Sequence, residues 1–182
     1  MSESLNKTTE ERRASILIRY RGLDVRKVER EGEKTIIHLS KGDRRIIMMC
    51  VSGQDTVGVV YIRDLMALGE KEEVEDLIMV GGGRYTYSAQ KIAEDSGLEI
   101  IPSSLPSFDI FRHRLVPRHE IISEEEKKAV LEKYHAEHHQ FPWIKVSDPI
   151  AIILGARPGD IIKITRNSQT AGTYVSYRYA IK

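Results

Sequence analysis

The sequence predicts two units: an α/β domain over residues 1–108 and a small α+β module over 109–182. Three observations lead there. One helical stretch is followed by three strand-like runs, and then helical and strand-like runs alternate, which is the order of an α/β layer structure with a mixed sheet. The pattern breaks at "PSSLPSFDIFRH", which holds two prolines and three serines, so a boundary falls near 102–113. Beyond the break come a charged helix, a short capped helix and two strands joined by a polar loop, which is an α+β layout.

The elements follow in order. Residues 1–7 are polar and predict a frayed start. Thr8 and Glu11 have capping-box spacing, Ile16, Leu17 and Tyr20 recur on one helical face, and Gly22 is placed to end the helix. "DVRKVERE", "KTIIHLS" and "RRIIMMCVS" then read as three strands. The third is apolar on both faces and belongs in the centre of a sheet. "VGVVYIRDLMALGE" changes to helical period, "EDLIMVGGG" is a buried strand ending in a glycine corner, "TYSAQKIAEDSG" is a helix closed by Gly97, and "LEIIPSS" is a final strand.

In the second unit Ser123 caps "SEEEKKAVLEKY", with Glu126 at capping-box spacing and the acid-before-base order that suits the helix dipole. "VSDPIAIILG" has Asp148 as cap, Pro149 at the first helical position and Gly155 past the end. "RPGD" places Pro158 and Gly159 at the centre of a type II turn. "IIKITR" and "TYVSYRYAI" are strands, the second with Val175, Tyr177, Tyr179 and Ile181 on one face and Arg178 on the other. At about seventy residues the module is near the lower limit for independent stability.

Composition narrows the function classes. Of 182 residues, 41% are hydrophobic and 30% charged, the range of a folded globular protein. The net charge of +1 supplies no field strong enough to draw the whole chain onto nucleic acid. Residues 112–182 carry 12 Lys and Arg against 8 Asp and Glu, whereas residues 1–111 carry 16 against 19, which fits two units with different surfaces. One cysteine, Cys50, allows no internal disulfide and points to a reducing compartment. "MSESLNKTTEERR" is too polar for a signal peptide, and no apolar run has spanning length, so the expectation is an intracellular chain with no membrane partner.

Four features invite a chemical reading. Gly81, Gly82 and Gly83 lie between a strand and a helix, where a phosphate cradle would sit, but the Walker Lys-Ser/Thr and the spaced dinucleotide glycines are missing, so a tight strand-to-helix turn is the better reading. His135, His138 and His139 cluster without a cysteine pair, which fits an exposed helix end better than zinc. Ser168 and Thr170 have Asn167, Gln169, Ala171 and Gly172 as neighbours and no adjacent base, so they serve a turn rather than act as nucleophiles. "EEEKKAVLEK" is a solvated helix face. The expectation is no catalytic residue, no metal and no cofactor.

From His113 to Lys182 the chain carries "LVPRHE", "DP", "RPGD", a K-I-x-R-x-S-x-T-A-G run and "YR", in that order. This stretch resembles the H subunit of archaeal RNA polymerase, which matches the C-terminal half of the fifth common subunit of the eukaryotic nuclear RNA polymerases. The resemblance implies an assembly part without chemistry of its own, set on the largest subunit near the downstream DNA channel. Typical archaeal H subunits lack an extension like residues 1–108, while the eukaryotic ones carry a jaw domain with a restriction-endonuclease-like fold. The order of elements here is similar to that fold, and "DLIMVGGGRYTYSAQKIAEDSGLEII" is similar to the closing part of Mrr-type nuclease domains.

Active members of that group place a carboxylate on the second strand and Glu/Gln-x-Lys on the third, because carboxylate oxygens hold Mg²⁺ and the lysine helps position the water. Here the second strand offers Lys34-Thr35-Ile36-Ile37-His38 and the third Ile46-Ile47-Met48-Met49-Cys50-Val51, with Asp43 only in the turn before it. The resemblance therefore implies a non-catalytic restriction-endonuclease-like domain.

The expected function is a non-catalytic subunit of DNA-dependent RNA polymerase that docks on the largest subunit and other polymerase subunits and forms the lower jaw near downstream duplex DNA. No activity is expected of the isolated chain, whose complex would be the nucleotidyltransferase. The setting would be cytoplasmic in an archaeon, and nuclear in a eukaryote. The docking candidates are Asp148, Pro149, Gly155, Pro158, Gly159, Thr170, Ala171, Gly172, Tyr177 and Arg178. Arg44, Arg45, Arg63 and Arg84 are candidates for phosphate contacts without sequence information. The alternatives at this point are an Mrr-like DNA endonuclease or repair protein with a polymerase-subunit-like tail, and a free DNA-binding regulator, which the near-neutral charge disfavours.

Overall fold

A computed structural model describes residues 8–168 and 172–182. The chain divides into two compact units, residues 1–108 and 109–182.

In the first unit α1 (Thr9–Arg21) begins where the Thr8 hydroxyl accepts from Glu11 N–H at 3.2 Å and ends at Gly22, left-handed at φ 64°. Its Ala14 and Leu17 are fully buried. Three antiparallel strands follow, β1 (Asp24–Glu31), β2 (Lys34–Lys41) and β3 (Arg44–Val51). β1 has a bulge between Val25 and Lys27. A two-residue strand, β4 (Thr56–Val57), leads into α2 (Val59–Glu72). β5 (Asp76–Gly81) returns parallel to β3, and the short β6 (Arg84–Tyr85) leads into α3 (Tyr87–Ser96). β7 (Glu99–Ile101) closes the sheet parallel to β5.

The sheet order is β1-β2-β3-β5-β7, antiparallel on one side of β3 and parallel on the other. β3 is central, and its last six residues are all buried, as its apolar character on both faces requires. One face, with Ile36, Ile47, Met49 and Met79, packs on Ile62 and Leu65 of α2 and Ala89 and Ala93 of α3. The opposite face meets α1, where Thr35 reaches Glu11 and the Cys50 thiol lies 3.9 Å from the Glu10 carbonyl. The short β4 and β6, absent from the sequence reading, pair in parallel, so α2 and α3 start side by side.

The second unit is a four-stranded sheet of order β8-β10-β11-β9. β8 (Arg118–Ile121) and β9 (Trp143–Lys145) are edge strands with no clear strand pattern in the sequence. α4 (Glu124–Tyr134) follows β8, with the Ser123 hydroxyl accepting from Glu126 N–H at 3.2 Å. α5 (Pro149–Leu154) follows β9. β10 (Ile161–Ser168) and β11 (Gly172–Ile181) form the antiparallel centre, and β9 runs parallel to β11.

α4 covers one face of this sheet. Its Val130 packs with Ile122 and Ile161, and Tyr177 and Tyr179 lie against that cluster. α5 covers part of the other face, with Ala151 packed on Ile144, Ile162, Ile164 and Ala180. Strand alternation places Tyr177 on the α4 side and Arg178 on the α5 side. No helix of the described residues is long and apolar enough to cross a membrane.

Candidate functional site

The glycine run is a packing device. A Cβ on Gly83 would lie 2.2 Å from the backbone carbonyl atoms of Asp55, and one on Gly81 would lie 2.7 Å from the Tyr85 hydroxyl. Two of its donors are already used: Gly81 N–H donates to the Tyr85 hydroxyl at 2.6 Å and Gly82 N–H to the Val51 carbonyl at 3.1 Å. The Tyr85 hydroxyl also faces the carbonyls of Met79 and Ile101 at 3.2 and 3.0 Å, and burial pushes its pKa up. The strand-to-helix turn of the sequence reading is therefore the structure's as well.

β2 and β3 carry no acidic side chain. Thr35 on β2 pairs with Cys50 on β3, and Ile37 with Met48. Asp43 sits in the turn between the strands. The buried carboxylates of this region come instead from α1: Glu10 is 6% and Glu11 1% exposed. Glu11 accepts from Arg30 Nε at 3.0 Å and from the Thr35 hydroxyl at 3.1 Å, so a guanidinium and a hydroxyl neutralise and orient it. In the sequence Glu11 reads only as part of a cap. Among the described residues no group of three or more His, Cys, Asp and Glu is placed to hold a metal ion.

Cys50 lies beneath these carboxylates. Burial, then the charges of Glu11 and Glu10, push its thiol far above the usual range. Such a thiol has almost no thiolate. In the native chain a disulfide-exchange reagent is expected to label Cys50 orders of magnitude more slowly than in urea, as read from thiol release against time. Rapid native labelling would contradict the buried placement.

The four arginines named for DNA separate into two kinds. Arg44 makes a forked contact with Asp76, Nε at 3.0 Å and the nearest Nη at 2.6 Å, and Arg45 donates to the Glu73 carbonyl at 3.0 Å. Arg63 on α2 and Arg84 on β6 are exposed and have no ion pair among the described residues.

In the second unit most docking candidates have local structural tasks. The Asp148 carboxylate accepts from Ile150 N–H at 2.8 Å and Pro149 opens α5. Gly155 ends it in the left-handed region at φ 74°. Asp160 N–H donates to the Arg157 carbonyl at 3.1 Å across Pro158 and Gly159, whose φ of 101° suits the type II turn. Gly172 opens β11 at φ 68°; Thr170 and Ala171 lie outside the described residues. Tyr177 meets Tyr134 and Phe141 edge-on, at ring distances of 5.9 and 6.4 Å. The histidine run is spread over a cap and a turn: His135 ends α4 at φ 47°, and His138, in a 3-10 turn, packs on Tyr179.

Arg178 remains on the α5 side with groups that the sequence reading passed over. Its Nη1 donates to the Trp143 carbonyl at 2.9 Å. The register puts Arg166 opposite Tyr174 and Ile164 opposite both Ser176 and His119, so all share this face. His119 is half-buried with Nδ1 2.8 Å from the Pro117 carbonyl, and burial lowers its pKa, so it is neutral at pH 7.

This unit is also where similarity to known proteins falls. Residues 108–180 match the family described as RNA polymerase Rpb5, C-terminal domain. The chain is 59% identical over 75 residues to the DNA-directed RNA polymerase subunit Rpo5 of Pyrococcus abyssi, covering 41% of this chain and 92% of that protein. It is 48% identical over 77 residues to the Rpo5 subunit of Methanococcoides burtonii, covering 42% and 99%. With the Rpo5 subunit of Sulfurisphaera tokodaii it shares 51% identity over 79 residues, covering 43% and 94%. These archaeal subunits are matched over nearly their whole lengths by a part of this chain that builds one sheet with its own two helices, and the chain therefore belongs to the Rpo5/Rpb5 family of DNA-directed RNA polymerase subunits.

Proposed function

We propose that the chain is a non-catalytic polymerase subunit in which residues 109–182 are the assembly part, docking on the largest subunit, and residues 1–108 are a jaw-like unit beside downstream DNA. The observation that carries the reading is the match over 108–180, a unit whose residues are spent on caps, turns and packing rather than on an activated nucleophile.

For the first unit the support is architectural. One helix, three antiparallel strands and two helix-plus-parallel-strand steps make a mixed sheet of the kind expected of a restriction-endonuclease-like domain. The lack of acidic side chains on β2 and β3 favours a non-catalytic relative. Of the four candidate arginines, Arg63 and Arg84 are left for phosphate contacts, which position without reading sequence.

Affinity purification of the tagged full chain from its source cell tests the reading. The large polymerase subunits are expected to co-purify in stoichiometric amounts through a salt wash and nuclease treatment. Recovery of the chain without them would refute it.

A further inference from the structure

At one edge of the larger sheet the core of residues 1–108 opens to water. β7 is the outermost strand on that side. Between it and α3 lies a groove of about 400 Å³, open rather than enclosed. Ala93, Leu98, Ile100 and Pro102 line it, and the exposed Gln90 and Glu94 of α3 complete it. Ala93 and Leu98 are buried members of the core beneath α2 and α3, and Ile100 packs against that core. A side chain placed in the groove would therefore extend the core.

The charge beside the groove works against the helix that carries it. α3 has Glu94 and Asp95 in its last turn and no basic residue there. The negative end of a helix dipole disfavours acids and favours cations. α1, α2 and α4 follow that preference and end on Arg19 and Arg21, on Lys71 and on Lys133. Among the described residues neither Glu94 nor Asp95 forms an ion pair, and Lys91, one turn earlier, reaches neither. The uncompensated acid and the apolar groove meet at Glu94.

We infer that this groove takes a short segment of another protein, in which an apolar side chain such as Leu or Met fills the hollow and an adjacent Lys or Arg meets Glu94 and the end of α3. Charge complementarity selects a basic partner, whose cation offsets an acid that the helix dipole disfavours. A small molecule fits less well, since sites for such ligands enclose roughly 70–90% of the ligand surface and this groove is open. Nucleic acid is disfavoured because the carboxylates repel phosphate. The inference concerns residues 1–108 and does not depend on how residues 109–182 assemble.

The probe is a random dodecapeptide library displayed on phage and panned on the purified full chain. Enriched peptides are expected to carry an apolar residue next to Lys or Arg. Labelled synthetic copies are then titrated with four chains: the natural one, E94K, Q90W and E70K. E94K reverses the charge at the groove, Q90W sets a bulky ring over it from an exposed position, and E70K makes the same charge change on α2. E70K is expected to bind as the natural chain does. E94K is expected to bind on the order of tenfold more weakly, with the salt dependence of binding gone. Q90W is expected to bind more weakly still; melting curves establish that it folds, and Q90F serves if it does not. E94K is also expected to melt no lower than the natural chain, because it removes an acid from the negative end of α3. In the source cell, a photo-crosslinking residue in place of Gln90 is expected to capture a protein segment of the same apolar-and-basic composition.

The inference is overturned if panning enriches nothing or enriches acidic or patternless peptides, or if E94K and Q90W bind undiminished. A lower melting point for E94K overturns it too, as does capture of nucleic acid or of a second copy of this chain at position 90. The polymerase-subunit reading stands or falls separately, on co-purification with the large subunits.

Discussion

Gly83→Ala is expected to destabilise residues 1–108 by about 3 kcal/mol, the upper range for forcing atoms into a packed site. The added Cβ would lie 2.2 Å from the Asp55 carbonyl carbon and oxygen and 2.4 Å from the Gln54 carbonyl oxygen. These are backbone atoms, so no side chain can swing aside. Nor can the two segments drift apart cheaply, because Arg84 N–H donates to Asp55 and Thr86 N–H to Val57 in the β4–β6 pair. Relief requires breaking that pair, which sets the starts of α2 and α3. Gly42→Ala is the comparison. Gly42 sits in open space at φ 59°, so alanine there carries only the left-handed penalty of about 1 kcal/mol. Urea unfolding followed by far-UV circular dichroism measures both. Equal small losses would mean that the crossing relaxes freely.

Arg13→Met is expected to cost on the order of 4 kcal/mol, since two buried carbonyls and a part-buried one lose a charged donor together. The side chain is 8% exposed. Its Nε donates to the Leu105 carbonyl at 2.7 Å, one Nη to the Ser103 carbonyl at 2.6 Å, and the other to the Gly81 carbonyl at 3.3 Å. One guanidinium so ties the first helix to the end of β5 and to the segment after β7. Methionine keeps the length of the stem and removes the donors, which separates hydrogen bonding from packing. The single tryptophan, Trp143, lies in residues 109–182, so its fluorescence follows that unit while circular dichroism follows the whole chain. The loss is expected in the circular dichroism transition, along with faster proteolysis after Ile101. A loss below 1 kcal/mol would mean that water replaces the guanidinium.

What the sequence made legible was what depends on neighbours along the chain. The caps at Thr8, Ser123 and Asp148 and the stops at Gly22, Gly97 and Gly155 are local, and the structure has them all. The central position of β3 could be read because both its faces are apolar. Two-residue strands such as β4 and β6 have no periodicity to read and exist only through their pairing. Edge strands β8 and β9 are nearly as short.

The candidate sites show the same division. That three glycines occupy 81–83 was visible, but the reason for the third is Asp55, far away in sequence. Arg44 looks free until parallel pairing of β3 with β5 brings Asp76 beside it. Glu11 reads as a cap until β2 delivers Thr35 to its carboxylate. Arg166 stood inside the quoted signature without a role of its own, and only the register of β10 with β8 and β11 sets it on one face with His119, Tyr174 and Arg178.

The bulged first strand of the larger sheet bears on life before assembly. A subunit made separately must wait in solution, and an open sheet edge is a template on which copies can polymerise. Here one edge, "DVRKVERE", is kinked between Val25 and Lys27 and lined with charges of both signs, with Lys27 paired to Glu29 along its own strand. The other edge is three residues long and is followed by Pro102, which has no N–H to offer a neighbour. Neither edge of this sheet offers a second copy a long, flat row of unpaired backbone groups, so edge-to-edge growth into fibrils is disfavoured there.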